Sequence, residues 1–377
     1  MSETSTPYTP ASTSTNVARN ETVSLADEIR KYKTKELIDF LRKEVDLELS
    51  EKVFEILEKQ EVNGRDFFKI TEEKLEKWGM SGGPATRLVD FAKECKEKKL
   101  RAFSSYKTKT DLEKILGKYQ VGGNDIKKIP PFVPGKTEIG YAFILLSSER
   151  DNFWTAYFIE TEKIGGDDKD FQYCIAEIKR KMEVIGPAKS SNEAVRCSYI
   201  EAVLLSAIFI VKRIVRKRIS LEPQFEVVGD EATGRVDYAI KKIIDSLNEE
   251  LICITEGKQN QEVLGIMQNV MQLESSYHTN KKKRKASEAF NDDFDYLYGI
   301  MTTATDWFFI MYTPERIYCT KADYHIDLTE NILDDDAKLC QGVKEVMGVI
   351  VGLLKDRVEV DDSPDVKRAR TEKYIRP

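Results

Sequence analysis

Between Phe225 and Gln272 the chain alternates short apolar runs with turn residues in an order that leaves few folds open: strand, turn, strand, strand, helix. Phe225-Glu226-Val227-Val228 and Arg235 to Ile240 flank a turn segment from Gly229 to Gly234 and read as a hairpin. A short amphipathic stretch, Ile243 to Leu247, leads to the strand Leu251-Ile252-Cys253-Ile254-Thr255. A helix from about Gln261 to Tyr277 then carries Val263, Met267, Val270, Met271 and Leu273 as its apolar positions. In this order Asp237 follows the apolar half of one strand, Glu256 and Lys258 end a second, and Gln268 and Gln272 lie one turn apart on the helix. Two carboxylates thus come beside one amine. Strand ends hold carboxylates rigidly enough to share a cation, which is what a metal-dependent phosphodiester hydrolase needs.

The elements on either side extend this pattern. Asn192 to about Lys217 reads as a helix with Asn192 as N-cap, Glu193 in the first turn, and Val195, Tyr199, Val203 and Leu204 at helical spacing. Downstream, Tyr296 to Met301, Trp307 to Tyr312 and Arg316 to Thr320 read as three strands joined by short turns, and about Ala337 to Lys355 as a closing helix. Upstream, Tyr141 to Leu146 and Trp154 to Ile159 are apolar enough for buried elements, and Asp167 to Met182 is a charged amphipathic segment.

The first third has a different grain. Residues 1 to 21 are rich in Ser and Thr without periodicity and read as a disordered tail. From Val23 to Ala102 about five short helices are expected, with Thr34, Ser50 and Thr71 as N-caps, Asn63-Gly64 and Gly79 as punctuation, and Pro84 at a first helical position. Lys93, Lys96, Lys98, Lys99 and Arg101 form a basic end to the last helix, which complements its dipole more readily than it binds phosphate. Residues 103 to 140 contain a short amphipathic helix (Leu112, Ile115, Leu116) and the turn-rich Gly122-Gly123 and Pro130-Pro131-Phe132-Val133-Pro134, and read as a linker.

Composition narrows the function classes. The net charge of -6 gives no overall basic field, so contact with nucleic acid rests on local basic clusters and bound metal. Six scattered cysteines without C-x-x-C spacing favour a reducing compartment and argue against a zinc site. No uninterrupted apolar run reaches 18 residues and no signal-peptide pattern opens the chain, so neither a membrane span nor a membrane partner is expected. Of the two histidines, His278 and His325, neither lies in a metal-binding motif, and both the G-x-S-x-G elbow and the GxxxxGK[ST] loop are missing.

Leu41, Leu47, Val62-Asn63-Gly64-Arg65-Asp66-Phe67-Phe68, Thr71-Glu72-Glu73-Lys74-Leu75, Gly79-Met80 and Gly83-Pro84-Ala85-Thr86-Arg87-Leu88 resemble a sterile alpha motif (SAM) domain. That resemblance implies association with itself or with other SAM-domain proteins more than binding of RNA hairpins. The helix with Glu193, the Asp237 hairpin, Glu256-x-Lys258 and the Gln-bearing helix resemble the PD-(D/E)XK restriction-endonuclease-like superfamily. The nearest flavour is the nuclease-like C-terminal domain of Crinkler-type proteins of fungi and oomycetes, where a Glu-x-x-Arg motif opens the first helix, here Glu193-Ala194-Val195-Arg196. Gly299-Ile300-Met301-Thr302-Thr303-Ala304-Thr305-Asp306-Trp307 is similar to a strand-turn-strand of that group. The expected fold is multi-domain: an all-α SAM-like five-helix bundle (22–102), a linker (103–140), an α/β (α+β) restriction-endonuclease-like domain with a mixed central sheet (141–356), and a disordered basic tail (357–377).

With that resemblance, Asp237 and Glu256 are expected to hold Mg²⁺, with the Gly257 carbonyl as a third oxygen, and Lys258 to orient or deprotonate the attacking water. Glu193 and Gln268 join the catalytic set, and Gln272 and Arg196 stand as nucleic-acid contacts, Arg196 alternatively anchoring Glu193. The competing readings are an exposed ion pair for Glu256 and Lys258, a helix-dipole charge for Glu193 and a solvated face for the glutamines. Glu177-Ile178-Lys179 is a rival triplet without an Asp-bearing hairpin before it. Lys281-Lys282-Lys283-Arg284-Lys285, in an expected loop, resembles a nuclear-import signal for importin, with Lys367 to Arg370 as a second. The reading is a Mg²⁺-dependent nuclease acting on DNA (RNA as alternative) in the nucleus, of a host if exported, or otherwise the cytoplasm. A non-catalytic SAM-assembled adaptor or effector binding nucleic acid or protein is the other.

Overall fold

Side-chain caps mark two of the helix starts in the N-terminal third, at Asn63 and Thr71. The computed structural model describes residues 22–44, 47–97, 99–134, 157–188, 192–245, 249–258, 261–285, 296–321 and 324–359. Helices α1 (Leu25–Ile29), α2 (Thr34–Lys43), α3 (Glu51–Lys59), α4 (Gly64–Phe67), α5 (Glu72–Lys77) and α6 (Gly82–Glu97) enclose Leu37, Leu41, Leu57, Phe67, Leu75 and Leu88. The Thr71 hydroxyl accepts the Lys74 N–H at 3.3 Å, and the Asn63 side chain accepts those of Arg65 and Asp66 at 2.9 and 3.1 Å. The count is six helices where about five are expected, because Asn63 caps a separate single turn. Gly64 is required there, since a Cβ would fall 1.7 Å from the Ile29 carbonyl oxygen. Thr34 lies inside the first turn of α2, and Lys33 takes the cap position.

The rest is a mixed sheet between helices. In chain order its strands are β1 (Thr22–Ser24), β2 (Lys99–Ala102), β3 (Pro131–Pro134), β4 (Tyr157–Ile159), β5 (Arg218–Val228), β6 (Ala232–Ile243), β7 (Glu249–Gly257), β8 (Leu297–Thr302), β9 (Asp306–Tyr312), β10 (Ile317–Thr320) and β11 (Tyr324–His325). Side by side they run β1-β2-β6-β7-β8-β9-β10-β3-β4, with β5 on β6 and β11 on β9. The helices are α7 (Lys109–Lys118), α8 (Lys169–Ile185), α9 (Glu193–Val215), α10 (Glu262–Lys285) and α11 (Ala337–Glu359). One core joins α8, α9 and α11 to one sheet face through Ile178, Val203, Ile350, Tyr238, Ile252 and Tyr298. A second joins α7 and α10 to the other through Leu116, Val270, Leu273, Leu251, Ile254 and Met301. β5, β6 and β7 are antiparallel, and α10 carries the chain from β7 to the parallel β8.

Several expectations change. Residues 103 to 134 are not a spacer: Leu112, Ile115, Leu116 and Tyr119 are buried against α10 and β7, because an amphipathic helix gains most by covering an apolar sheet face. The hairpin strands begin and end several residues beyond the apolar core of the pattern, since ladder hydrogen bonds continue through Arg218↔Ile243. α10 runs through Lys285, so Lys281 to Lys285 are helical rather than a loop. Helix α9, whose most apolar 18-residue window has a mean hydropathy of 1.9, is long and apolar enough to cross a membrane, although Arg196 and Glu201 interrupt its apolar run. Of its most apolar window 61% is buried in the fold, as in a core helix. None of the six cysteines is in a disulfide. Tyr141 to Leu146, Trp154, Leu247 and the Lys367 to Arg370 run lie outside the described residues.

Leu116 is 1% exposed. Leu116→Ala is expected to lower the unfolding free energy of the full chain by about 2–5 kcal/mol in urea titration. A change near zero would return residues 103–134 to linker status.

Candidate active site

The β6–β7 ladder has Tyr238↔Thr255 as its final registered pair, and the next residue on each strand is Asp237 or Glu256. The two carboxylates therefore leave neighbouring strands side by side. Asp237 is 8% exposed and Glu256 5%. The Gly257 N–H donates to Asp237 Oδ2 at 2.7 Å, and the Gln224 amide donates to Oδ1 at 3.2 Å. Lys258 Nζ lies 2.5 Å from Glu256 Oε1, while Gln272 Nε2 donates to Oε2 at 2.6 Å. Asn269 fixes that glutamine, donating to its Oε1 at 3.4 Å and to the Ile254 carbonyl at 3.2 Å.

Burial and mutual repulsion act on both acids. Burial, then Asp237, push Glu256 up to about 7, against the pull of Lys258 and Gln272. Burial also raises Asp237, opposed by the Gly257 N–H and Lys258, with Glu193 adding to the rise. Burial pulls Lys258 down, but Glu256, Asp237 and Glu193 together hold its ammonium above the ordinary value. A cluster with more negative than positive charge is what a cation relieves.

Of the expected residues, Asp237, Glu256, Lys258 and Gln272 meet. Glu193 is solvent-exposed at the start of α9, where the Asn192 side chain accepts the Val195 N–H at 3.1 Å, and its charge reaches Asp237 and Lys258. Gln268 does not join: it is buried against the adjoining segment, with its amide 3.5 Å from the Tyr106 carbonyl. Gln272 and Arg196 are buried, at 1% and 6% exposure, so neither offers a surface to nucleic acid, and Gln272 instead orients Glu256. The rival Glu177 and Lys179 sit on α8, paired with Lys181 and Asp336 at 2.6 and 3.1 Å, with Ile178 in the core between them. Lys281 is half-buried.

Sequence reading misses Gln224 and Asn269. Gln224 lies opposite Asp237 with φ +52, and its only advance sign is the Pro223-Gln224 pair within a strand pattern. Asn269 is fully buried, and a polar residue between Gln268 and Val270 on an apolar helix is its trace.

Among the described residues no cluster of three or more His, Cys, Asp or Glu side chains forms a metal site. Two carboxylates nevertheless fit Mg²⁺, which takes one or two of them and keeps waters for the rest. Each hydrogen-bonded carboxylate oxygen retains a second lone pair. Asp237 and Glu256 are thus the residues that would hold it.

A SAM-like domain family matches residues 7–94 of the chain. Over 193 residues the chain is 26% identical to the Crinkler effector protein 1 of Rhizophagus irregularis, a match covering 51% of this chain. It spans 39% of that relative's length.

In the metal-free protein Glu256 titrates from its ordinary 4.5 in the unfolded chain to about 7 in the fold. Across that interval the folded state holds a proton the unfolded state has released, so stability falls as pH rises. Thermal unfolding in EDTA is therefore expected at a lower temperature at pH 8 than at pH 5.5. Glu256→Gln should flatten this slope and raise the pH 8 midpoint, whereas a variant with the wild-type slope would remove Glu256 as its source.

Proposed function

We propose that the sheet domain hydrolyses phosphodiester bonds of DNA with Mg²⁺, as a restriction-endonuclease-like enzyme, and that the SAM-like module assembles or targets it. The carrying observation is that Asp237 and Glu256 leave paired strands together with Lys258 in contact with Glu256. The order helix α9, antiparallel β5-β6-β7, helix α10, parallel β8 supports it as well.

When bound, Mg²⁺ supplies a Lewis acid for a phosphate oxygen and lowers the pKa of a water. The protein's own part is positioning and charge. Gln224 and the Gly257 N–H hold Asp237, and Gln272, fixed by Asn269, holds Glu256. Lys258, kept protonated by its acidic neighbours, offsets negative charge growing on the phosphate, so an electrostatic role suits it better than that of a base. Nuclear import through Lys281 to Lys285 and self-association of the module belong to the same proposal.

A second reading, an effector that binds without cutting, draws on one feature: all four carboxylate oxygens already have protein partners. Plasmid cleavage separates the two. With Mg²⁺ the wild type should cut and with EDTA it should not, while Asp237→Ala and Lys258→Ala should each lose about 100-fold or more. Equal results in every condition would end the catalytic reading. For the module, removing residues 1–97 should lower the number of copies per particle in solution; an unchanged oligomeric state counts against self-association.

A further inference from the structure

Next to Lys258 the surface opens into a depression of about 450 Å³, lined by Gln261, Glu262, Val263, Leu264, Thr303 and Asp306. It lies between the first turn of α10 and the turn from β8 to β9. The active centre adjoins the depression through residues next to its lining. The Lys258 N–H donates to the Thr302 carbonyl at 2.9 Å, and the Lys258 side chain runs against α10, where a Cβ on Gly265 would meet its Cγ at 3.1 Å and Met301 Cγ at 2.6 Å.

The far wall is rigid. Asp306 Oδ1 pairs with His325 Nδ1 at 2.8 Å, and Oδ2 accepts from the Thr303 and Thr305 hydroxyls at 3.0 and 2.8 Å. The Thr303 hydroxyl in turn accepts the Asp306 N–H at 3.0 Å. Burial opposes ionisation of Asp306, but the bonds from His325, Thr305 and Thr303 hold it below its ordinary value. It is an anchored anion.

This lining suits one part of a nucleic acid and not another. Glu262 and Asp306 are acidic, and among the described residues no Lys or Arg lines the depression, so a phosphate would be repelled. A flat group carrying N–H donors would be attracted, with Val263, 42% exposed, offering apolar contact to its face. Acidic side chains accept from the exocyclic amine of cytosine, and a glutamine amide pairs with adenine. The volume falls within the roughly 300–1,000 Å³ of small-ligand sites.

We infer that this depression is a base slot: it takes the nucleobase beside the phosphate at Lys258 and favours a base with an exocyclic amine over thymine, through Glu262 and Gln261. The inference rests on the proposed DNA substrate. The base reaches the slot only out of the stack, so the substrate is single-stranded or locally opened there. Asp306, held by His325, positions Thr303 at the slot's edge.

The test is binding of labelled thymine-only single strands and of the same strands with one central cytosine or adenine, to the full chain, with Ca²⁺ replacing Mg²⁺. The wild type should prefer the amine-bearing strand by about tenfold, as one good side-chain pair to a base edge supplies. Glu262→Gln and Gln261→Ala should narrow that ratio; a Glu262 that only complements the N-terminus of α10 would change both affinities alike. Sequencing of cut ends under Mg²⁺ should show thymine under-represented beside the break, and the bias should weaken in Glu262→Gln. Equal affinities, no binding to any strand, or a ratio untouched by both variants overturns the slot. Cutting with even base usage removes the slot and leaves the nuclease, whereas base preference without cutting removes the nuclease and leaves the slot.

Discussion

The arrangement depends on the pairing of β6 with β7 between two helical layers. β7 sends Leu251 and Ile254 into one core and Ile252 and Cys253 into the other, because a bulge at Ile252 separates the Lys241↔Leu251 and Ile240↔Cys253 pairs and pins the register. That fixes its register against β6, and register is what sets Asp237 beside Glu256. A shift of one residue would separate the acids and leave two buried charges facing hydrocarbon, at a cost well above that of a surface substitution. The site is a consequence of core packing.

The same packing creates an electrostatic deficit. Two acids and one ammonium share a small buried volume, and Glu193 adds negative charge from the rim. Without a further cation the deficit is met by a proton, which is why Glu256 is pushed up to about 7. A cation bound there would compete with that proton for the same excess of negative charge. Gln224, Gln272 and Asn269 donate amide hydrogens to this cluster or to one another, and supply no charge. They orient the acids and leave the imbalance in place.

Local pattern makes much of this readable and long-range pairing hides the rest. Asn192, Asn63 and Thr71 announce their helices because a cap is a contact within three residues. Asp237 and Glu256-x-Lys258 are readable because apolar strand cores end beside them. Gln268 misleads: on α10 it and Gln272 are one turn apart, yet only Gln272 reaches Glu256, and Gln268 meets Tyr106. Which residue wins depends on α7 and its flanks covering α10, and nothing local reports that coverage. The proline-rich stretch near Pro131 looks like linker for the same reason, since the strands that β3 pairs with, β10 and β4, are distant in sequence.

The join between the two parts follows from the same sheet. β2, which follows α6 directly, pairs in parallel with β6 through Arg101↔Ala232 and Ala102↔Thr233, on the strand that carries Asp237. β5 occupies one edge of β6, and β7 covers the other from Tyr238 onward, so β2 fills what β7 leaves open. Arg101 also pairs with Asp111 of α7 at 2.6 Å, tying the strand to the helix behind it. Val228 at the end of β5 packs against the module's core. Among the described residues the SAM-like module is therefore tied to the sheet by paired strands and by Val228. A partner bound to the module would be held in a set orientation to Asp237 and Glu256, so assembly would arrange these acid pairs in space and do more than raise their local concentration.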